Sequence, residues 1–378
     1  MKSSQKIAIV YDWVDKWGGV ERVLLALHSL FPEAHLFTSY YDKNKAKWAK
    51  NLLIKSSFID HLPIIRSNRK LSFFLFPFAF ESFNFSNYDV VFSVSSSFAK
   101  SIITKPGTVH ICYLLTPTRY LWIYPERYIP SYIRLFFLPL LNYMKIWDKI
   151  VSNRPDKLIS LSKIVSKRIT LVYGKKTDIL YPPFDTFYWK KFKDQQTIPD
   201  LFNGVQLPNK FFLVVSRLEP YKRVDLVIKV FNLINKDLII VGKGSQRNQL
   251  KACAGRNSAI HFMQDLTDTQ LTYLYKKAQA IIMPQQEDFG YVALEAQFMG
   301  CPVISYKESG VREIIIENKT GLLFSEQSVA SIREVLERFD QISYNLKHTT
   351  VKYGEYIAKK FDLSIFRNKL LHILKSNI

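Results

Sequence analysis

Short apolar runs, each followed by a Gly/Pro-punctuated loop and a segment of helical period, constrain this chain more than any other feature. Ala280–Met283 (AIIM) is such a run, the length of a buried strand. Pro284–Gly290 is polar and turn-rich, a loop at that strand's end. Tyr291–Met299 then carries Val292, Leu294, Ala296 and Met299 at helical spacing, and Gly300 with Pro302 stops it. Pro302–Tyr306 is the next strand. Strand, loop, helix, strand is the unit of a parallel sheet, whose ligands sit at the carboxyl ends of the strands. The alternation recurs, with strands expected at Lys6–Tyr11, Tyr88–Val94, Val109–Leu114, Lys210–Val215, Leu238–Val241 and Ile260–Met263. Within residues 155–175 a strand precedes a helix capped near Ser162 and closed by Gly174. The class is α/β. At 378 residues the chain exceeds one ordinary core. Pro182-Pro183 forbids regular structure and divides it into domains of residues 1–182 and 183–354.

Glu287 and Glu295 are eight residues apart, roughly 12 Å if all between them were helix. Carboxylates that cleave one glycosidic bond stand roughly 5 to 9.5 Å apart. The pair therefore suits gripping two ends of a long ligand better than hydrolysis, although either glutamate alone could be a solvated helix face. The first turn of this helix offers N–H groups from Phe289 to Val292 to an anion or a sugar hydroxyl, and Gly290 leaves room for a ligand. Arg217 and Lys222 leave another strand end together; a planar fork and a point charge suit a diphosphate, two solvated cations being the alternative. Arg223 fits that register less well. Gly18-Gly19, just before the helical period of Val20–Phe31, would let N–H groups approach a phosphate, or is simply a turn. Gly242-Lys243-Gly244 is neither a P-loop nor a dinucleotide fingerprint and reads as a βα turn.

A formal charge of +21 calls for an anionic partner: nucleic acid, an anionic membrane surface or a diphosphate, unless it is only a lysine-rich composition. No helix-turn-helix, zinc-finger or RNA-binding signature is present, so nucleic acid is not expected. Residues 60–85 join Arg66, Arg69 and Lys70 to a run of phenylalanines, which suits an interfacial membrane contact or a core. The longest apolar runs fall far short of the ~20 residues of a spanning helix. The amino terminus lacks a signal-peptide pattern, and Cys112, Cys253 and Cys301 form no disulfide or zinc pattern; a cytoplasmic protein is expected.

The ordered run EDFGYVALEAQFMGCPVIS, Glu287 to Ser305, resembles family 4 of the retaining glycosyltransferases. The resemblance implies the GT-B fold, two Rossmann-like doubly wound domains facing across a cleft, with terminal helices 355–378 packing back on the first. It implies a nucleotide-sugar donor, transfer with anomeric configuration kept, and no bound metal or other cofactor. Carried onto this chain, Glu287 faces the donor sugar and Glu295 the ribose, while Arg217 and Lys222 hold the diphosphate with Gly18 and Gly19. Asp288, Phe289, Gly290, Tyr291 and Val292 line the donor, and the loop holding Leu266 takes the base. HICYLLTPTRYLW, His110 to Trp122, is similar to HICYxHTPxRYLW of bacterial polysaccharide-assembly mannosyltransferases, with Arg119 and Tyr120 on the acceptor side. Leu115 stands where they have histidine. His110 lies five residues back on the opposite strand face, roughly 16 Å away, and is expected to be structural. The expected reaction moves a hexose, mannose from GDP-mannose as the leading form, to a glycan or lipid-linked acceptor of cell-surface polysaccharide such as lipopolysaccharide. The expected location is cytoplasmic, peripheral on the inner membrane face. Leu115 keeps a second reading open, a non-catalytic nucleotide-sugar-binding GT-B protein.

Overall fold

A computed structural model describes residues 5–62, 75–123, 125–128, 137–195, 202 and 206–377. The chain divides into two compact units, Met1–Pro183 with Ser364–Ile378, and Phe184–Leu363.

The first unit is built on a seven-stranded parallel sheet of order β3-β2-β1-β4-β5-β6-β7. Its strands are β1 (Ile7–Tyr11), β2 (His35–Thr38), β3 (Ile54–Ser56), β4 (Val90–Ser95), β5 (Val109–Leu114), β6 (Lys157–Ser160) and β7 (Asp178–Ile179). Its helices are α1 (Gly19–Leu30), α2 (Phe76–Glu81), α3 (Arg119–Trp122), α4 (Pro125–Tyr128), α5 (Leu138–Val151) and α6 (Lys163–Tyr173). Strands covered on both faces read as unbroken apolar runs, and every residue of β4 (VVFSVS) is buried. On one face, Ala8 and Val10 of β1 and Val91 of β4 share a core with Phe76 and Phe80 of α2 and Leu141 and Met144 of α5. Ser162 caps α6, its hydroxyl accepting from the Val165 N–H at 3.3 Å, and Gly174 ends it at φ 70°.

The second unit has a six-stranded parallel sheet of order β10-β9-β8-β11-β12-β13. The strands are β8 (Phe211–Val215), β9 (Asp237–Val241), β10 (Ile260–Met263), β11 (Ile281–Met283), β12 (Val303–Tyr306) and β13 (Gly321–Phe324). The helices are α7 (Thr186–Lys193), α8 (Val224–Phe231), α9 (Arg247–Ala254), α10 (Asp268–Lys277), α11 (Tyr291–Phe298) and α12 (Val329–Lys359). The last helix, α13 (Leu363–Asn377), groups with the first unit from Ser364 onward.

The chain thus leaves the second unit later than residue 355. Residues 353–359 are the final turns of α12. Gly354 lies so close to the Gln297 carbonyl that any side chain would collide with it, which binds this end of α12 to α11.

Candidate functional site

In the second sheet β8 is bordered by β9 on one side and β11 on the other, so the strand order reverses between β8 and β11. Such a switch point opens a crevice at the carboxyl ends, where α/β sheets bind ligands. The loop after β8 contains the 3-10 turn Pro220–Lys222 and then Arg223 at φ 52°. The loop after β11 contains Gln285, Glu287 and Gly290. The two loops meet: the Lys222 ammonium donates to Glu287 Oε1, to which Gln285 Nε2 also donates at 2.8 Å. The Glu287 main chain is pinned as well, its N–H donating to Ser309 Oγ at 3.0 Å and its carbonyl accepting from the Gly310 N–H at 2.8 Å.

The side chains of Lys222 and Glu287 are 10% and 23% exposed, so the pair faces solvent only at its edge. Burial works to raise the Glu287 carboxyl, but the Lys222 charge and the hydrogen bonds from Lys222 and Gln285 outweigh it. The carboxyl sits below its usual range and is ionised at neutral pH. Arg223 turns away, its Nε 3.5 Å from Asp225. Arg217 is exposed at the end of β8 and makes no ion pair among the described residues. A cation and a fixed carboxylate therefore meet at the β8/β11 reversal, and Arg217 is exposed on the same loop as Lys222.

The other predicted donor-side residues surround this group in sequence and differ in availability. Glu295 is 4% exposed in α11, where Tyr275 Oη donates to Oε2 at 3.1 Å. Phe289 is buried, its ring 5.4 Å from those of Tyr291 and Phe361, so its side chain belongs to the packing. Asp288 packs its carbonyl against Gly310 so tightly that a Cβ there would collide with it. Tyr291 and Val292, half-buried, open α11. Leu266 is half-buried in the loop after β10, next to Asp265 at φ 56°, whose carboxylate pairs with Lys243 at 2.5 Å.

Gly290 has a structural role besides the one its position suggests. Its φ is 110°, and a Cβ would lie 2.5 Å from Val311 Cγ2. The space on its Cβ side is filled by Val311, so this glycine serves a left-handed turn and close packing. Gly242 and Gly244 are a βα turn whose backbone lies against Ser216 and Leu218, with Leu218 N–H donating to the Lys243 carbonyl at 2.7 Å. They hold the Arg217 loop in place.

In the first unit the reversal falls between β1 and β4, and there Asp12 ties the two strand ends together. Asp12, wholly buried, accepts from the N–H groups of Ser96 at 2.6 Å and of Phe98 and Ala99 at 2.7 Å, and from Ser96 Oγ at 2.9 Å. Gly18 and Gly19 begin α1 as expected, but the first turn already holds Glu21, 4% exposed. Arg119 opens α3 half-buried, while the Tyr120 hydroxyl is committed to Ser97 Oγ. Leu115 is 5% exposed just past β5. His110 is fully buried, its Nε2 2.8 Å from Ser93 Oγ, and burial with the nearby Arg154 charge pushes it down to about 3. It is a neutral core residue.

Sequence reasoning did not find Gln285, Ser309 or Tyr275, which fix the two glutamates. Gln285 carried a signal, since a polar side chain two residues past an apolar strand lies at its carboxyl end. Ser309 and Tyr275 carried none, because only the fold brings them to the glutamates. Arg66, Arg69 and Lys70 lie outside the described residues.

Two Rossmann-like units, each a parallel sheet layered with helices, define a fold of the GT-B class. Superposition agrees: Anabaena Alr3699/HepE, solved in complex with UDP, matches with a TM-score of 0.71 at 16% identity, covering 98% of this chain and 100% of that one. Residues 201–356, all within the second unit, match the family model of glycosyl transferases group 1. An uncharacterized glycosyltransferase of Methanocaldococcus jannaschii is 32% identical over 143 residues, 36% of this chain and 37% of that protein. The alpha-1,3/1,6-mannosyltransferase ALG2 of Dictyostelium discoideum is 24% identical over 281 residues, 64% of this chain and 65% of that protein. The chain thus spans less than two thirds of the length of these relatives.

Proposed function

We propose that this protein is a retaining, metal-independent family 4 glycosyltransferase that moves a hexose from a nucleoside diphosphate to a hydroxyl of a glycan or lipid-linked acceptor. The observation that carries it is the Lys222–Glu287 pair beside exposed Arg217 at the β8/β11 reversal. In the reaction, the acceptor oxygen bonds to the anomeric carbon as the bond to the diphosphate oxygen breaks. That leaving oxygen, on the same face, takes the acceptor proton, so configuration is kept and no side-chain base is required. Arg217 and Lys222 offset the charge growing on the diphosphate. Glu287 already holds the Lys222 ammonium at the strand end, so little reorganisation precedes the step. Glu295 takes the ribose hydroxyls, and backbone groups of Asp288 to Val292 and of the Leu266 loop complete the donor site. Arg119 and Tyr120 are assigned to the acceptor side.

Mannose from GDP-mannose is the specific donor proposed, supported by the likeness to a mannosyltransferase and by the HICYLLTPTRYLW strand. The UDP bound in the Anabaena structure makes uridine donors the comparison to run. A role in cell-surface polysaccharide assembly, in the cytoplasm and peripheral on the inner membrane face, completes the proposal. Leu115 favours one second reading, a protein of this fold that binds the donor without transferring it, since leucine supplies neither proton acceptor nor hydrogen bond.

The test is turnover of a nucleotide-sugar panel, including slow transfer to water, by wild type, Arg217→Ala and Glu287→Ala. A fall of at least ~10²-fold in both variants is expected, the scale of losing one charge-stabilising group. Donor binding without turnover across the panel would establish the second reading instead.

A further inference from the structure

Helix α5 (Leu138–Val151) is apolar on two faces. Leu141, Met144 and Val151 point into the first unit's core, and Asp148 is buried with them. Yet Tyr143 is 63% exposed, Ile146 61% and Ile150 59%, with Leu138 at the helix start 42% exposed. Tyr143, Ile146 and Ile150 are three and four residues apart, so they form one outward stripe. A surface helix ordinarily turns polar residues outward, and three large apolar side chains on one outward stripe depart from that rule. Phe78, 63% exposed on α2, lies on the same layer, because Phe76 and Phe80 beside it enter the core that takes Leu141 and Met144. The exposed apolar side chains of α5, about one turn apart, mark an interaction surface.

The charges beside the stripe decide what covers it. Lys145 and Lys149 hold their ammonium groups 5.4 and 5.2 Å from the Trp122 ring, along the edge of the exposed face. The helix's one acidic residue, Asp148, is 1% exposed and neutralised by Lys100 at 2.7 Å. The outward face of α5 therefore carries cations and no anion. A second copy of this chain would oppose lysine to lysine across the contact. An anionic bilayer takes both features, the stripe entering the headgroup–acyl boundary and the lysines meeting phosphates. No described helix is long and apolar enough to cross a membrane.

We infer that α5 is a membrane-docking helix that lies flat on an anionic lipid surface through Tyr143, Ile146 and Ile150, with Lys145 and Lys149 as its electrostatic border. This deepens the membrane part of the proposed function by naming the surface, and it stands on the exposure of α5 independently of any donor.

The test is co-sedimentation of the full chain with vesicles of phosphatidylcholine alone or mixed with phosphatidylglycerol. Wild type is compared with Tyr143→Ser/Ile146→Ser/Ile150→Ser and with Lys145→Glu/Lys149→Glu. Wild type is expected on the mixed vesicles, and the apolar triple variant should lose at least ~10-fold in partitioning. The lysine variant should lose its preference for the anionic lipid. Nucleotide-sugar thermal shifts, read on the same samples, should be equal in all three proteins; this confirms folding and separates failure of docking from failure of the donor assignment. Absence of wild-type binding, or equal binding by the triple variant, overturns the inference. So does a wild-type dimer in sedimentation velocity that the triple variant dissolves, because the face then belongs to a second copy.

Discussion

Lys222 and Glu287 stand 65 residues apart in sequence and are joined as an ion pair across the reversal between β8 and β11. Neither strand alone could build this site. Each supplies one charge at its carboxyl end, and parallel packing places the two ends side by side. The pair is also what distinguishes Lys222 from Arg223, which a one-residue shift would exchange.

The pair makes a prediction in acid. With its folded value below the ordinary 4.5, Glu287 contributes stability that is present above that value and lost as pH falls through the folded one. Glu287→Gln should cost about 1–3 kcal/mol at pH 7, because it strands a largely buried ammonium. The deficit should narrow below pH 4. Urea denaturation of both proteins from pH 7 to pH 3 measures it, and a constant deficit would contradict it.

Gly290 is predicted to be intolerant for two separable reasons. Gly290→Ala meets Val311 and must also hold φ 110°, at a combined cost of about 2–4 kcal/mol. Adding Val311→Ala should relieve the clash and leave the backbone strain, so the double variant recovers only part of the loss. A double-mutant cycle by thermal denaturation checks the coupling; simple additivity would show that Val311 is not what the glycine accommodates.

His110 should behave as a structural residue. Its folded value of about 3 lies below the ordinary 6.5, so the unfolded chain binds the proton first. Stability should fall as pH drops from 6.5 toward 3, by up to about 1.4 kcal/mol per pH unit from this group. His110→Gln should flatten that slope and leave turnover within about threefold. A hundredfold loss of turnover without a loss of stability would make it a participant in the chemistry.

The buried Asp148 should outweigh its partner Lys100. Besides Lys100, its carboxylate accepts from Thr118 Oγ1 and Trp122 Nε1 at 2.8 Å and from Tyr173 Oη at 2.6 Å. Asp148→Leu takes the acceptor from these donors and the counter-ion from a buried ammonium, at a cost of about 3–5 kcal/mol. Adding Lys100→Met should restore part of it. Chemical denaturation of the two variants reads the difference, and a double variant less stable than Asp148→Leu would contradict it.

Local pattern carried the strands and caps, because those are decided by neighbours in sequence. Ile260–Met263 and Val109–Leu114 are strands over the expected residues, and Ser162 and Gly174 bound their helix. Features decided by contacts far along the chain were not legible. Nothing near Gly290 announces Val311, and nothing near Gly354 announces the Gln297 carbonyl that keeps residues 353–359 in the second unit. The outward stripe of α5 was not legible either, because periodicity alone does not say which of two apolar faces is buried. The charged residues of the site were readable by type and spacing, whereas their supports Ser309 and Tyr275 were not.

The most direct measurement of the central claim is calorimetric titration of wild type, Arg217→Ala and Lys222→Ala with GDP-mannose and with UDP-glucose. Saturable binding of a nucleotide sugar by wild type is expected, weakened at least ~10-fold by each substitution, the scale of one charge-assisted contact. Absence of binding to either donor, or equal affinity in all three proteins, would contradict it.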